Sequence, residues 1–354
     1  MERPHPDGAL VLLGAGHRAL HGYALKQIAS ARPVVIFDEV LRGWARPYAT
    51  RFVPVNTDDR ALLARALDEL AQETPVAGVM SYLAEHTGAA ALLAHRSHLP
   101  GTSMAMVPPD GKFVRRALVL QGIPLAHEEN PGARVTAECA VLGPGQVRLV
   151  AVVRRHTAPG PWPDAVDYTL QADDQLLGHP PLHDIVRRTV TALGVGLGLV
   201  RVHLTLTGAG PRVTGAETGV GNSLLPHLVQ LATGVTLPSA AAALATGGLP
   251  ELTPRRSHAA GIRFLYSAGS GMLRSAAVRH PLTSRRWLER FEWMHNIGDE
   301  IDSARPVHRY GDPVGYGVVL APTAQECRHR LLQVGEHVHI QVGRRRALAG
   351  AAPP

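Results

Sequence analysis

One pattern over residues 9–97 constrains this chain more than any other. Short apolar runs, each long enough for one buried strand, alternate with stretches whose apolar positions recur at helical spacing. Ala9-Leu10-Val11-Leu12-Leu13 comes first and ends in Gly14-Ala15-Gly16, and a helix-like stretch follows to about Ser30. Pro33 to Asp38, Arg51 to Val55 and Val76 to Met80 are the next strand candidates. Between them, Asp58 to Glu73 sets Leu62, Leu63, Ala66, Leu67 and Leu70 on one helical face, with Thr57 or Asp58 as the N-cap. Glu85 to Ser97 is a further helix. Such alternation predicts an α/β, doubly wound, Rossmann-like parallel sheet with helices on both faces.

The pattern changes after a boundary at Ser103 to Pro109. Lys112 to Gln121 is a short helix stopped by Gly122 and Pro124. Arg134 to Leu142, a turn at Gly143-Pro144-Gly145, and Val147 to Val153 read as a β-hairpin. Val200 to Leu206 and Arg212 to Thr214, around Gly208-Ala209-Gly210-Pro211, read as a second. Pro181 to Leu193 and Ser223 to Gly234 are helical. The expected organisation is therefore a Rossmann-like domain over 1–108, a linker helix over 109–126, an α+β domain with an antiparallel sheet over 127–346, and a frayed tail over 347–354.

Composition removes several classes of function. Hydrophobic residues are 45% of 354 and mean hydropathy is +0.00, enough apolar material for real cores and no match for a disordered chain. No apolar stretch has the length of a membrane span, and the N-terminus lacks the charged-then-apolar layout of a signal, so no membrane role and a cytoplasmic location are expected. Two cysteines, Cys139 and Cys327, suit a reducing compartment and plain core positions. The net charge of +7 invites nucleic acid as partner, but the basic residues are scattered singly except at Arg344-Arg345-Arg346. Aromatics are 5%, too few for a stacking platform, so no nucleic acid is expected. The only lysines are Lys26 and Lys112, so any chemistry that requires a lysine has two places to find one.

Gly14-x-Gly16-x-x-Ala19 follows a strand and opens a helix, and Asp38 ends the next strand. Two readings fit. The glycines serve the tight strand–helix turn of any doubly wound domain, or they form a dinucleotide fingerprint and the chain is a nicotinamide-dependent oxidoreductase.

Downstream residues suggest a third reading. Gly78-Val79-Met80-Ser81-Tyr82-Leu83-Ala84-Glu85, then Leu99-Pro100-Gly101-Thr102-Ser103, then the helix led by Lys112 and ending Gly122-Ile123-Pro124, resemble the N-terminal domain and first linker of ATP-grasp enzymes. The likeness is strongest to carboxylate–amine ligases of the dipeptide-ligase kind. Glu128-Glu129-Asn130-Pro131-Gly132 and the strand after it are similar to the family's adenine hinge. Leu199 to Leu237 resembles its catalytic segment, and Gly311 to Val342 its closing strand and helix.

The resemblance implies ATP and Mg2+ as cofactors, with an acylphosphate intermediate and amide-bond formation between a small, amino-acid-like carboxylate and an amine. It places nucleotide phosphate at Lys112, adenine at Glu128 or Glu129, and metal at Glu217 with Asn222. The substrate carboxylate asks for a planar arginine fork, for which Arg201 and Arg263 are available; Glu85 and His203 are further substrate candidates.

The chain also departs from the family. Between "Gly-x-Pro" and the hinge glutamates the family carries a lysine-bearing lid of some tens of residues, whereas here Pro124 is followed almost at once by Glu128. Where the family has a His-x-Glu pattern, this chain reads His203-Leu204-Thr205, and the following Arg is absent from Val213 to Asn222. A catalytically degenerate protein, or the partner subunit of a complete ligase, is therefore the alternative to a working ligase; the expected protein partner is a complete ligase or a second copy of the chain.

Other polar residues carry plain expectations. His203, on an apolar strand, is expected to be a hydrogen-bonded core histidine, and Glu138, inside a strand, to be bonded to a neighbour. His337-x-His339 reads as two imidazoles on one face of a strand, and His179 and His183 as a pair disturbed by Pro180-Pro181. Neither pair has a visible third ligand, so no zinc site is expected.

Overall fold

The computed structural model describes residues 8–101, 111–126, 131–157, 167–221, 223–302 and 312–343. The opening alternation forms β1 (Ala9–Leu13), α1 (Arg18–Ala31), β2 (Val34–Asp38), β3 (Arg51–Pro54), α2 (Arg60–Glu73), β4 (Val76–Met80) and α3 (Ala84–Arg96). The strands make a parallel sheet in the order β3-β2-β1-β4. Its core is Val11, Leu13, Val35, Phe37 and Val79, with Leu63, Leu67 and Leu70 of α2 and Leu93 of α3. The cap of α2 is Asp59, not Thr57 or Asp58. Its Oδ1 accepts from the N–H groups of Ala61 at 2.9 Å and Leu62 at 3.0 Å. Thr57 is instead turned toward His86, with its Oγ1 3.3 Å from Nε2.

Further along the chain, α4 (Gly111–Leu120) leads to the hairpin of β5 (Ala133–Val141) and β6 (Val147–His156). Then come β7 (Asp167–Gln171), α5 (Pro180–Ala192), β8 (Gly198–Thr207), β9 (Gly210–Thr218), α6 (Leu225–Thr233) and α7 (Leu237–Ala245). Gly234 ends α6 at φ +80°, the left-handed cap expected of a glycine. Strands β6, β5, β8 and β9 neighbour one another in that order, and β5-β8-β9 are antiparallel. One face of β5-β8-β9 is apolar: Val135, Ala137, Cys139, Val200, Val202, Leu204 and Val213 bury against Val114 and Leu118 of α4 and Leu182, Ile185 and Val186 of α5. Alternation along each strand therefore sends Thr136, Glu138, Arg201 and His203 to the other face.

The chain divides into two compact units, Met1–Arg154 with Ala172–Ser257, and Arg155–Gln171 with His258–Pro354. Both sheets described so far, β7 apart, belong to the first unit. There α7 lies against β4 so closely that a Cβ on Gly78 would sit 1.9 Å from the carbonyl oxygen of Ala245. In the second unit β7, β10 (Ala259–Leu265), β14 (Gly315–Ala321) and β12 (Leu288–Trp293) pair antiparallel in that order. The elements between and after them are β11 (Gly271–Val278), α8 (His280–Thr283), β13 (Glu300–Ile301), α9 (Ala324–Glu336) and β15 (Val338–Gly343). Strands β13, β11 and β15 form a small antiparallel sheet. The packing of α9 uses Cys327, Leu331 and Val334 against Ala259, Val319 and Ala321.

His337 is not in a strand. It caps α9, its Nδ1 lies 2.8 Å from the Gln333 carbonyl oxygen, and only His339 belongs to β15. No single described helix is long and apolar enough to cross a membrane; α6 and α7 together are apolar, but they bend by 107°.

Candidate functional site

The polar face of β5-β8-β9 concentrates charge in one place. Register sets Glu138 of β5 opposite Arg201 of β8, and Arg201 opposite Glu217 of β9, so the three stand in one row across three strands. The next row is Thr136, His203 and Gly215. Glu138, Arg201, His203 and Thr136 are buried, and the Glu217 side chain keeps 28% of its exposure.

Arg201 is the hub. Its Nε donates to Glu138 Oε1 at 2.7 Å, its Nη2 donates to the Val220 carbonyl at 2.9 Å, and its Nη1 lies 3.6 Å from Glu217 Oε2. His203 places Nδ1 3.0 Å from Thr136 Oγ1 and Nε2 3.7 Å from Glu217 Oε1. Burial pushes the Glu138 carboxyl up and Glu217 adds to this, while the Arg201 guanidinium pulls it down; burial is the largest of the three. Glu138 is thus bonded to a neighbour, as expected for an acid inside a strand, and His203 has its core partner.

The remaining candidates lie elsewhere or outside the described residues. Lys112 is exposed on α4, whose Val114 and Leu118 pack toward Val213 and Ala216 of β9. Glu85 is exposed in the first turn of α3. Arg263 belongs to the second unit, where it holds Asp167 through two bonds of 2.7 Å. Glu128, Glu129 and Asn222 lie outside the described residues. Sequence reasoning did not name Thr136 or Gly221 as parts of the site. The signal for Thr136 was available, because it alternates with Arg134 and Glu138 on a strand whose other positions are apolar.

The glycine loop is filled by protein. Ala15 N–H donates to Asp38 Oδ2 at 2.9 Å, and the Tyr82 hydroxyl donates to the Ala15 carbonyl at 2.7 Å. Burial pushes the Tyr82 phenol up, so it stays a donor. Gly16 has φ +70°, and a Cβ there would meet His21 Nδ1 at 2.5 Å and Leu83 Cδ2 at 2.8 Å. The glycines stand where the packing is close, and the Asp38 carboxylate holds the loop.

Magnesium asks for hard oxygen ligands in near-octahedral order around a doubly charged ion. The charged row offers two carboxylates with a guanidinium already between them, and among the described residues no group of three or more His, Cys, Asp or Glu side chains is disposed to hold a metal. The site does not fit the ion. A groove of about 470 Å³ lies elsewhere in the first unit, lined by His95, Leu99, Pro100, Pro144 and Leu197 among others. Among the described residues its lining has no carboxylate or arginine. Both cysteines are buried, and burial pushes their thiols up, Cys327 to about 12, so neither is an activated nucleophile.

No protein-family model matches the sequence, and no curated protein matches it. Solved structures do. The chain is similar to the L-amino acid ligase of Bacillus licheniformis, with 17% identity and a TM-score of 0.77 over 97% of this chain and 100% of that one. It is similar to phosphoribosylglycinamide synthetase from Anaerococcus prevotii, with 14% identity and a TM-score of 0.75 over 95% and 100%. N5-carboxyaminoimidazole ribonucleotide synthetase from Thermotoga maritima shares 13% identity at a TM-score of 0.65 over 95% and 100%. At these identities what is shared is the fold: a parallel sheet with helices joined to an antiparallel sheet, as the resemblance to ATP-grasp enzymes implied.

Proposed function

We propose that this chain, which has the ATP-grasp fold, is a reduced relative of ATP-dependent carboxylate–amine ligases. It acts as a binding or partner subunit beside a complete ligase and does not by itself join a carboxylate to an amine. Its ligand class is the family's: small, amino-acid-like carboxylates and amines. Its place is the reducing cytoplasm, in keeping with two buried thiols that form no disulfide.

The observation that carries this reading is the path from α4 to β5. The Pro124 carbonyl accepts from Val213 N–H at 2.9 Å, Ala126 N–H donates to the Val213 carbonyl at 2.9 Å, and Leu125 bridges Val213 in parallel. Residues 124–126 are thereby pinned along β9, and only 127–132 remain to reach β5. A lid of some tens of residues has no place in that span. Such lids exclude water from a reactive acylphosphate, and an open cleft leaves it exposed to hydrolysis.

A working ligase is the second reading: the resemblance assigns phosphate to Lys112, one of two lysines in the chain, which stands exposed on α4, the helix that packs on the face of β5-β8-β9 opposite the charged row. Isothermal titration with Mg-ATP, alone and with a mixture of amino acids, separates the two. The reduced reading expects no heat at millimolar nucleotide and no phosphate release. Micromolar-to-millimolar binding that disappears in Lys112→Ala would overturn it in favour of the ligase.

A further inference from the structure

We infer that the Arg201 guanidinium is the resident cation of the carboxylate row, built into the position where this fold calls for a divalent metal, and that this site has become independent of metal ions. The inference rests on the reduced-ligase reading and names what replaced the metal.

Charge gives the first reason. Glu138 and Glu217 flank Arg201 in one register row, with contacts of 2.7 Å and 3.6 Å to its guanidinium. A divalent ion drawn to those carboxylates would stand within a few ångströms of a buried guanidinium, which stays protonated at any working pH. Like charges at such separations repel strongly wherever water is excluded. One cation or the other can occupy the row.

The second reason is that the guanidinium has a cradle made for it. Its Nη2 donates to the Val220 carbonyl, a third partner beside the two carboxylates. Gly221 follows at φ +76°, and a Cβ there would stand 2.5 Å from Nη1 and 3.2 Å from Cζ. Gly219, two residues earlier, is also left-handed, at φ +87°. The Gly-Val-Gly segment after β9 therefore turns its backbone onto the guanidinium and leaves it the room that any side chain at 221 would fill. An arginine that had merely drifted into an emptied metal site would not need that fit.

A third reason lies along the same strands. Thr205, which stands where the resemblance expects a carboxylate, is buried, and its Oγ1 has no hydrogen-bond partner among the described residues. Gly215, in the row of His203, brings no ligand at all. Neither strand supplies a further carboxylate to complete a metal's shell, while each nitrogen of the guanidinium has a bonded or ionic partner.

The test uses the full chain and Mn2+ alone, read by thermal melting and by electron paramagnetic resonance of the bound ion, with no nucleotide present. The wild-type protein is expected to show no bound Mn2+ and no change in melting temperature at millimolar ion. Arg201→Ala is expected to melt lower, and to regain about 2 °C or more with Mn2+ as the two uncompensated carboxylates take up the ion. If Arg201→Ala is too unstable to isolate, Arg201→Gln, which keeps a donor toward Val220, serves instead. Arg201→Lys, which keeps a cation, is expected to remain indifferent to Mn2+.

Wild-type binding of Mn2+ that Glu217→Gln abolishes would overturn the inference, as would an absence of Mn2+ response in both neutral variants. Neither result depends on nucleotide binding. The inference can therefore fail while the reduced-ligase reading stands, and the titration with Mg-ATP can overturn that reading while Arg201 keeps its place.

Discussion

The Glu138–Arg201 pair allows a prediction that separates charge from hydrogen bonding. Both side chains are almost fully buried, at 5% and 3% exposure, and the contact is 2.7 Å. Glu138→Ala removes the acceptor from Nε–H and leaves the guanidinium with Val220 and the more distant Glu217. Breaking a buried pair from one side costs about 3–5 kcal/mol. Because Glu217 remains at 3.6 Å, the lower end, about 3 kcal/mol, is expected, roughly a hundredfold in the opening equilibrium. Glu138→Gln keeps an acceptor at the same reach. It forfeits the charge-assisted part of the bond, but it also relieves the burial that pushes this carboxyl up. A net cost of about 1 kcal/mol is expected, roughly fivefold in opening. Hydrogen exchange read by mass spectrometry on peptides covering β5, β8 and β9 measures opening where the pair lies, without assuming that both units unfold together. If Glu138→Gln opens these strands as readily as Glu138→Ala, the bond geometry is not what holds the row, and the account of Arg201 as its anchored centre is refuted.

Three further outcomes follow from the packing. His295 in the second unit lies 2.7 Å from Asp312 and 3.8 Å from Asp299, and the hydrogen bond to Asp312 holds its pKa above the ordinary 6.5. Its stabilising effect is then complete below about pH 6.5 and fades as pH rises through the folded value; melting temperature measured from about pH 5.5 to 8.5 should lose that decline in His295→Gln. Gly78→Ala puts a methyl 1.9 Å from the Ala245 carbonyl and must push α7 off β4, at about 2–4 kcal/mol, read as a fall in melting temperature; an unchanged value contradicts the close approach. Asp167→Asn breaks the two-bond grip on Arg263, with side chains only 13% and 16% exposed, and should cost about 2 kcal/mol in denaturant unfolding.

The parallel sheet was legible because β1, β2 and β4 are short apolar runs, and burial on both faces leaves no other use for such runs; the edge strand β3 is only partly buried. Helix ends were less so. Asn56, Thr57, Asp58 and Asp59 all offer capping oxygens, and which one caps depends on where the chain turns, a tertiary matter. His337 illustrates the same limit: spacing alone joined it to His339, but α9 runs on to Glu336 and takes His337 as its cap. In the second unit, β11 and β12 carry little alternation, since most of their residues are only partly buried, and no period marks them in the sequence. The site was half legible. Arg201, His203 and Glu217 each stood out as polar residues in or beside apolar strands, but nothing along the chain says that Arg201 is paired on both sides. That requires the register of β5 on β8 and of β8 on β9, which hydrogen bonding across strands sets and sequence distance conceals.

The two departures from the ligase pattern belong to one chemical step. Forming an acylphosphate brings anionic oxygens together, which asks for cations to neutralise them and for a cover to keep water away. Under the reduced-ligase reading the cover is gone, because 124–126 are tied to β9, and the neutralising ion is replaced, because Arg201 fills the row from within. Loss of either alone would leave a handicapped catalyst under selection to restore it. Once the step itself is abandoned, the remaining demand on Glu138 and Glu217 is that two carboxylates on a largely buried face not be left uncompensated. A guanidinium anchored by Val220 and given room by Gly221 meets that demand with no ion to recruit or lose. The apolar face of the same strands, packed on α4 and α5, is indifferent to the exchange, so the fold does not depend on which cation the charged row holds.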